Sequence, residues 1–161
     1  SGSLKTIIDG FEFDFSPHFI YENKFQDSLK NETASRDFTI NTLLMRLSNG
    51  EIIDFFGAIG DIKEQKLVWC CTPDADPVRR LRAIKFIADG FVPDEQNLKL
   101  LIDNFDISSV PTRQVRQIIN SAIRKNPEIT LFLVENHLLK KVPLSKLMIE
   151  TLKNQRRLHL C

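Results

Sequence analysis

The sequence predicts an α+β chain, a small strand-bearing lobe followed by an all-helical one. Two observations carry that reading. In the first part, apolar and polar residues alternate strictly at Phe11-Glu12-Phe13-Asp14-Phe15, the period of a half-buried strand. From Asp76 onward, apolar residues recur every three or four positions, the period of helices packed on one face. The chain has 161 residues, of which 42% are hydrophobic and 27% charged, the balance of an ordinary globular chain.

The elements follow in order. Phe11, Phe13 and Phe15 are expected to face a core, with Glu12 and Asp14 on the opposite side. Ser16-Pro17 ends that strand, and residues 18 to 35 read as a polar, irregular loop. Arg36 to Leu47 reads as a short helix or helix-like turn. Asn49-Gly50 marks a tight turn, and Glu51 to Phe56 a strand closed by Gly57 and Gly60. Asp61 to Trp69 reads as a polar turn and a short strand. The first lobe thus offers three or four strands.

The helical part is better punctuated. Asp76 is suited to cap a helix, with Pro77 at its first position and Gly90 beyond its last turn. A second helix covers 94 to 105 through Leu98, Leu101, Ile102 and Phe105. Thr112 is suited to cap a third, with Val115, Ile118, Ile119 and Ala122 on one stripe. Asn126-Pro127 ends it and opens a fourth through Leu131 to Leu139; Pro143 opens a fifth ending near Arg157. The boundary between lobes is expected near residues 70 to 76, giving domains 4–75 and 76–160.

Composition narrows the function classes. A net charge of +1 gives no global basic field, so nucleic-acid binding must come from local patches. No run approaches 18 apolar residues, so no membrane span is expected. Ser1-Gly2-Ser3 reads as an appended tag rather than a signal peptide. Cys70, Cys71 and Cys161 are an odd number without CxxC spacing, which suggests free thiols in a reducing compartment, cytoplasmic or organellar. His18, His137 and His159 are isolated and read as surface or packing residues.

Three segments carry candidate chemistry. In Ser35-Arg36-Asp37-Phe38-Thr39-Ile40-Asn41, Arg36 offers a phosphate fork, and Asp37 and Asn41 lie four apart, able to hold a ribose hydroxyl or each other. Ile52 to Ile62 reads as a strand and glycine turn. In Asp76 to Phe86, Asp76, Arg79, Arg82 and Lys85 recur every three residues along one spiralling face. A carboxylate beside a guanidinium presents both donors and acceptors to a base edge, and the further cations suit a triphosphate. The plain alternatives are a capped helix start for the first segment and a solvated helix face for the third.

Taken together, in this order and spacing, the segments resemble the class II tRNA nucleotidyltransferases (CCA-adding enzymes) and bacterial-type poly(A) polymerases. The family's Arg-Arg-Asp-Phe-Thr-Ile-Asn motif is met by Ser35 and the identical Arg36 to Asn41. Its Ile-Asp-Pro-Phe-Gly-Gly-x-x-Asp-Leu pattern is met loosely by Ile53 to Ile62. Its Glu-Asp-x-x-Arg motif is met by Ala75, Asp76 and Arg79, continuing through Leu81 to Phe86. The resemblance is sharp over residues 36 to 88 and weaker through the helices to about 142.

The resemblance implies the later part of a nucleotidyltransferase head, then a helical neck and the start of a body. It implies that Asp76 and Arg79 read the base edge of incoming CTP or ATP. Arg36, Arg82 and Lys85 would line the nucleotide and its phosphates, and Asp37 and Asn41 would lie near the sugar. It implies magnesium as cofactor, RNA (tRNA or another 3′ end) as the acceptor, and addition of CMP or AMP. The chain departs from the family at Ser35, Ala75 and Lys85, and it holds neither the glycine-rich segment nor the Asp-x-Asp metal pair. Glu12 and Asp14 form a carboxylate pair on a strand, but their place before Arg36 fits a later strand, where a charge pair on an edge is the expected role. The chain is therefore expected to supply nucleotide selection, with metal ligands from an upstream segment or a protein partner. The alternative is a non-catalytic RNA-binding or scaffolding subunit with a basic patch of Arg79, Arg80, Arg82, Arg113, Arg116 and Arg124.

Overall fold

A computed structural model describes residues 4–15, 25–103, 106 and 108–135. The chain is α+β, and it divides into two compact units, Ser1–Glu32 and Thr33–Cys161.

In the first unit, β1 (Leu4–Ile8) and β2 (Phe11–Phe15) form an antiparallel hairpin, with Leu4 opposite Phe15, Thr6 opposite Phe13 and Ile8 opposite Phe11. The turn uses Asp9 and Gly10, both at positive φ (50° and 83°), as a tight two-residue hairpin turn requires. The predicted alternation is present, but the predicted burial is not. Phe11, Phe13 and Phe15 are 71%, 40% and 51% exposed. A two-stranded hairpin has no second layer of its own, so the face that alternation marks as apolar stays open. On the other face, the Lys5 ammonium lies 3.8 Å from Glu12 and 3.4 Å from Asp14.

Helix α1 (Phe25–Ala34) replaces the expected loop. Leu29 and Thr33 stand one helical turn apart, and Thr33 is fully buried, so tertiary packing holds a segment whose polar composition reads as irregular. His18, residues 136 to 142 and the fifth helix expected from Pro143 lie outside the described residues, as do His137, His159 and Cys161.

In the second unit, residues 36 to 47 do not form the expected helix. Phe38 is extended (φ −123°, ψ 150°) and bridges antiparallel to Trp69; only Thr39–Asn41 makes a 3₁₀ turn. Strand pairing wins because it buries Phe38 completely, with its ring 4.4 Å from Trp69 and 5.4 Å from Phe86. Strands β3 (Leu44–Met45) and β4 (Ile52–Ile53) then form a short hairpin around Asn49-Gly50, with Gly50 at φ 72°. Helix α2 (Ala58–Lys63) takes up part of the segment read as a turn. It starts there because the Asp54 carboxylate accepts from the N–H groups of Phe56, Ala58 and Ile59, at 2.9 to 3.2 Å, satisfying donors at the helix start.

The helical part follows the sequence closely: α3 (Val78–Ala88), α4 (Glu95–Ile102), α5 (Thr112–Lys125) and α6 (Pro127–Leu133). Gly90, at φ 101°, turns the chain after α3. Asp94 caps α4 and Asn126 caps α6 through their side chains. Leu81 and Ile84 of α3 pack with Val115, Ile119 and Ala122 of α5 and Leu131 of α6 in one apolar core, which Phe38 and Leu67 extend into the strand-bearing segment. Asn97 joins the two segments again: its side-chain carbonyl accepts from Trp69 N–H (2.9 Å), and its backbone carbonyl from the indole N–H (3.0 Å).

Candidate nucleotide-binding site

The first predicted segment and the helix that begins at Val78 meet in space. The Phe38–Trp69 bridge runs Asp37 alongside Cys70, with the Cys70 N–H donating to Asp37 carbonyl at 2.8 Å. This brings residues 35 to 41 over the N-terminal turns of α3. Asp37 is buried and serves three donors. Its Oδ1 accepts from the Phe38 N–H (3.0 Å) and the Asn41 amide (2.8 Å), and its Oδ2 accepts from Arg82 Nε at 2.6 Å. Charge-assisted bonds of this kind are about twice as strong as neutral ones. The Arg36 guanidinium donates to the Asn41 carbonyl at 2.6 Å, closing the 3₁₀ turn on itself.

The expected cap at Asp76 with Pro77 at the first helical position is displaced by one residue: α3 begins at Val78, Pro77 stands at the cap position, and Asp76 lies just before it. Asp76 Oδ1 accepts from the Val78 N–H at 2.9 Å, while Oδ2 faces the Arg82 guanidinium at 3.9 Å. Arg82 thus links the two carboxylates, the half-buried Asp76 and the buried Asp37. Arg79 reaches back to the first segment: one terminal nitrogen donates to the Ser35 carbonyl at 2.7 Å, and the other contacts Cys71 Sγ. Its Nε is buried without a partner among the described residues. Beside Arg79, burial pushes the Cys70 thiol up from its ordinary value, with the Cys71 and Asp37 charges adding to the effect, so Cys70 is a neutral thiol at physiological pH.

Six of the seven predicted site residues are therefore joined by hydrogen bonds or ion pairs, in two groups: Arg36, Asp37, Asn41, Arg82 and Asp76 in one, and Arg79 held to Ser35 in the other. Lys85 stands one turn beyond Arg82 and lines, with it, a cleft of about 310 Å³ between α3 and α5, floored by Val78 and Phe86 and rimmed by Gln114, Gln117 and Ser121. Four cations against two carboxylates leave this array net positive, as a polyphosphate requires. Arg80 behaves differently from the basic patch expected of it. It is buried, and it donates to the Asp74 carboxylate (2.5 Å) and the Asp103 carbonyl (2.9 Å), because position 80 falls on the core side of α3.

The α5 residues of the cleft were missed by sequence reasoning. The only signal for them is that α5 has a polar face opposite its apolar stripe, which does not say what that face meets. Thr39 was likewise missed as a tie between motifs: its hydroxyl donates to the Asp61 carboxylate at 2.6 Å, fastening the 3₁₀ turn to α2.

Residues 12–68 match the family described as the poly(A) polymerase head domain. Over part of its length this chain is similar in sequence to CCA-adding enzymes and poly(A) polymerases. The CCA-adding enzyme of Lactobacillus delbrueckii subsp. bulgaricus is 30% identical over 99 residues, 58% of this chain and 25% of that protein. Poly(A) polymerase I of Haemophilus influenzae is 37% identical over 82 residues, 46% of this chain and 18% of that protein. The fold is that of the Thermotoga maritima CCA-adding enzyme, whose structure is a complex with tRNA: TM-score 0.73 at 24% identity, over 96% of this chain and 40% of that one. The chain thus spans about a quarter or less of the curated relatives it matches.

The magnesium that such a family implies has no fitting donor set among the described residues, where no three His, Cys, Asp or Glu side chains cluster. The Glu12 and Asp14 carboxylates flank the Lys5 ammonium, which already supplies their counter-charge. No helix of the described residues is long and apolar enough to cross a membrane.

Proposed function

We propose that this chain is the nucleotide-selecting part of an RNA nucleotidyltransferase that adds CMP or AMP to RNA 3′ ends. The observation that carries the reading is the Arg82–Asp37 bond of 2.6 Å, which joins motifs 45 residues apart in one array. Asp76 and Arg79 select the base, with an acceptor and a donor group at the mouth of α3. Arg36, Arg82 and Lys85 hold phosphates, and Asp37 and Asn41 set the sugar side. Residues 4–75 form the end of the head, and 76–160 the neck and the start of the body. CTP or ATP and an RNA end are the ligands. The metal ligands come from a segment or protein partner outside these 161 residues, and the reaction runs inside the cell, in the cytoplasm or an organelle.

The test is binding of ATP and CTP, by calorimetry, to the native chain and to Asp76→Ala and Arg79→Ala. The expected result is a lost base preference in folded variants, because a cap loss costs only about 1 kcal/mol. Unfolding of both variants, or equal ATP and CTP binding by all three proteins, would overturn the assignment. Labelled nucleotide incorporation into tRNA lacking its CCA end should be silent with this chain alone.

One observation favours a second reading, a non-catalytic RNA-binding or scaffolding subunit. Both terminal nitrogens of Arg79 face the protein, at Ser35 and Cys71. RNA binding without any nucleotide binding would decide for it.

A further inference from the structure

One guanidinium of α3 is buried outside the nucleotide array. Arg80 is 4% exposed, and the other buried residues of the helix are Leu81, Ala83, Ile84, Ile87 and Ala88, all apolar. One terminal nitrogen of Arg80 donates to the Asp74 carboxylate at 2.5 Å and to the Asp103 carbonyl at 2.9 Å. Its Nε is buried without a partner among the described residues. A cation so placed is costly to desolvate, and an apolar side chain of similar volume would serve the core as well or better. The contribution of Arg80 therefore lies in what it holds.

It holds the chain that leads into Asp76. Asp74 is the middle residue of a 3₁₀ turn, Pro73–Ala75, that ends directly on Asp76. Pro73 is buried and anchors the start of the turn. The turn's own backbone bonds are long: the Ala75 N–H reaches the Thr72 carbonyl at 3.5 Å, and the Asp76 N–H the Pro73 carbonyl at 3.4 Å, beyond the ordinary range for such bonds. No side chain caps the turn. The short bond is the one from Arg80, made from a helix fixed in the core and braced by Asp103 at the end of α4. We propose that Arg80 is a positioning residue for base selection: through Asp74 it fixes the Pro73–Ala75 turn, and so sets the place from which Asp76 meets the base. The inference rests on the proposed function and adds to it the residue that holds one of the two base-selecting groups.

The test compares the native chain with R80M, D74A and the double variant R80M/D74A. Thermal unfolding is measured alongside the affinities for ATP, CTP and inorganic tripolyphosphate by calorimetry. R80M should fold with an unchanged or raised Tm, because an apolar side chain replaces a buried cation. Its tripolyphosphate affinity should equal the native one, since Arg36, Arg82 and Lys85 are untouched. Its ATP-to-CTP affinity ratio should move toward one by about fivefold, the worth of one ordinary hydrogen bond. Hydrogen exchange at the Val78 amide, which donates to Asp76, should quicken while the later turns of α3 stay protected. The double variant should lose no more than either single one, because all three remove one link. If R80M does not fold, D74A carries the same comparison from an exposed side chain. A native ratio of affinities in the folded variants, or an unchanged Val78 amide, overturns the positioning role and leaves the proposed function standing. Equal weakening of all three ligands with a lowered Tm makes Arg80 a stabiliser only and overturns the role as well. A native chain that does not distinguish ATP from CTP strikes the proposed function, and the role of Arg80 in base selection with it.

Discussion

The β1–β2 hairpin and the helical core use the same residue types to opposite effect. Both have strict apolar patterning, at period two in the hairpin and near 3.6 in the helices. In the core, that patterning buries Leu81, Ile84 and Ile119 to 2% exposure or less; in the hairpin, it leaves Phe11, Phe13 and Phe15 between 40% and 71% exposed. Patterning states which side of an element wants cover. Only a second layer provides it, and a helix in a bundle has neighbours on its apolar face where a two-stranded ribbon has none of its own.

That contrast can be broken by mutation. Leu81→Ala removes a fully buried side chain from the α3–α5 interface and should cost about 2–5 kcal/mol in urea unfolding. A smaller cost would mean the helical core is loosely packed and the contrast is overstated.

Asp54→Ala tests a contact of intermediate burial and should cost about 1 kcal/mol, the usual loss for a helix-start carboxylate. Burial raises the Asp54 pKa, but the N–H groups of Ile59, Ala58, Phe56 and Gly57 outweigh it and hold the carboxyl below its ordinary value. A depressed carboxylate contributes stability that is complete above its unfolded-state value, about 4, and is lost as pH falls through the lower folded value. The gap between the native chain and the variant should therefore be constant from neutral pH to about 5 and close on further acidification. A gap that persists in strong acid would show that Asp54 acts by packing instead of charge.

The smallest effect on stability belongs to the hairpin. Replacing Phe11, Phe13 and Phe15 together by Ser should shift the unfolding free energy of the helical unit by under about 0.5 kcal/mol, the range of exposed substitutions. Sedimentation should instead show less self-association, because an open apolar face is removed. A large loss of stability would mean that the three rings support the core after all.

The candidate site was legible in the sequence to the extent that it is local. Asp76, Arg79, Arg82 and Lys85 lie on consecutive turns of one helix, so spacing alone groups them. Arg36, Asp37 and Asn41 also form a local cluster, though in an extended residue and a 3₁₀ turn rather than the expected helix. What spacing does not contain is the meeting of the two groups. The Arg82–Asp37 bond and the Arg79–Ser35 bond exist because Phe38 pairs with Trp69 and packs on Phe86, contacts of 31 and 48 residues' separation. The same long-range packing explains why 36 to 47 is not a helix and why Arg80 is buried.

By itself, then, the sequence determined the α+β order, the helices between residues 78 and 133, the turn at Gly90 and the helix start at Asn126-Pro127, and the motifs that resemble those of the RNA nucleotidyltransferases. Capping, helical period and glycine conformation act over a few residues, so they are written where they act. The tertiary structure decided which apolar faces were covered, which arginines reached solvent, and that the two motif segments share one array. Those outcomes depend on contacts between residues far apart in the chain, and no local preference encodes them.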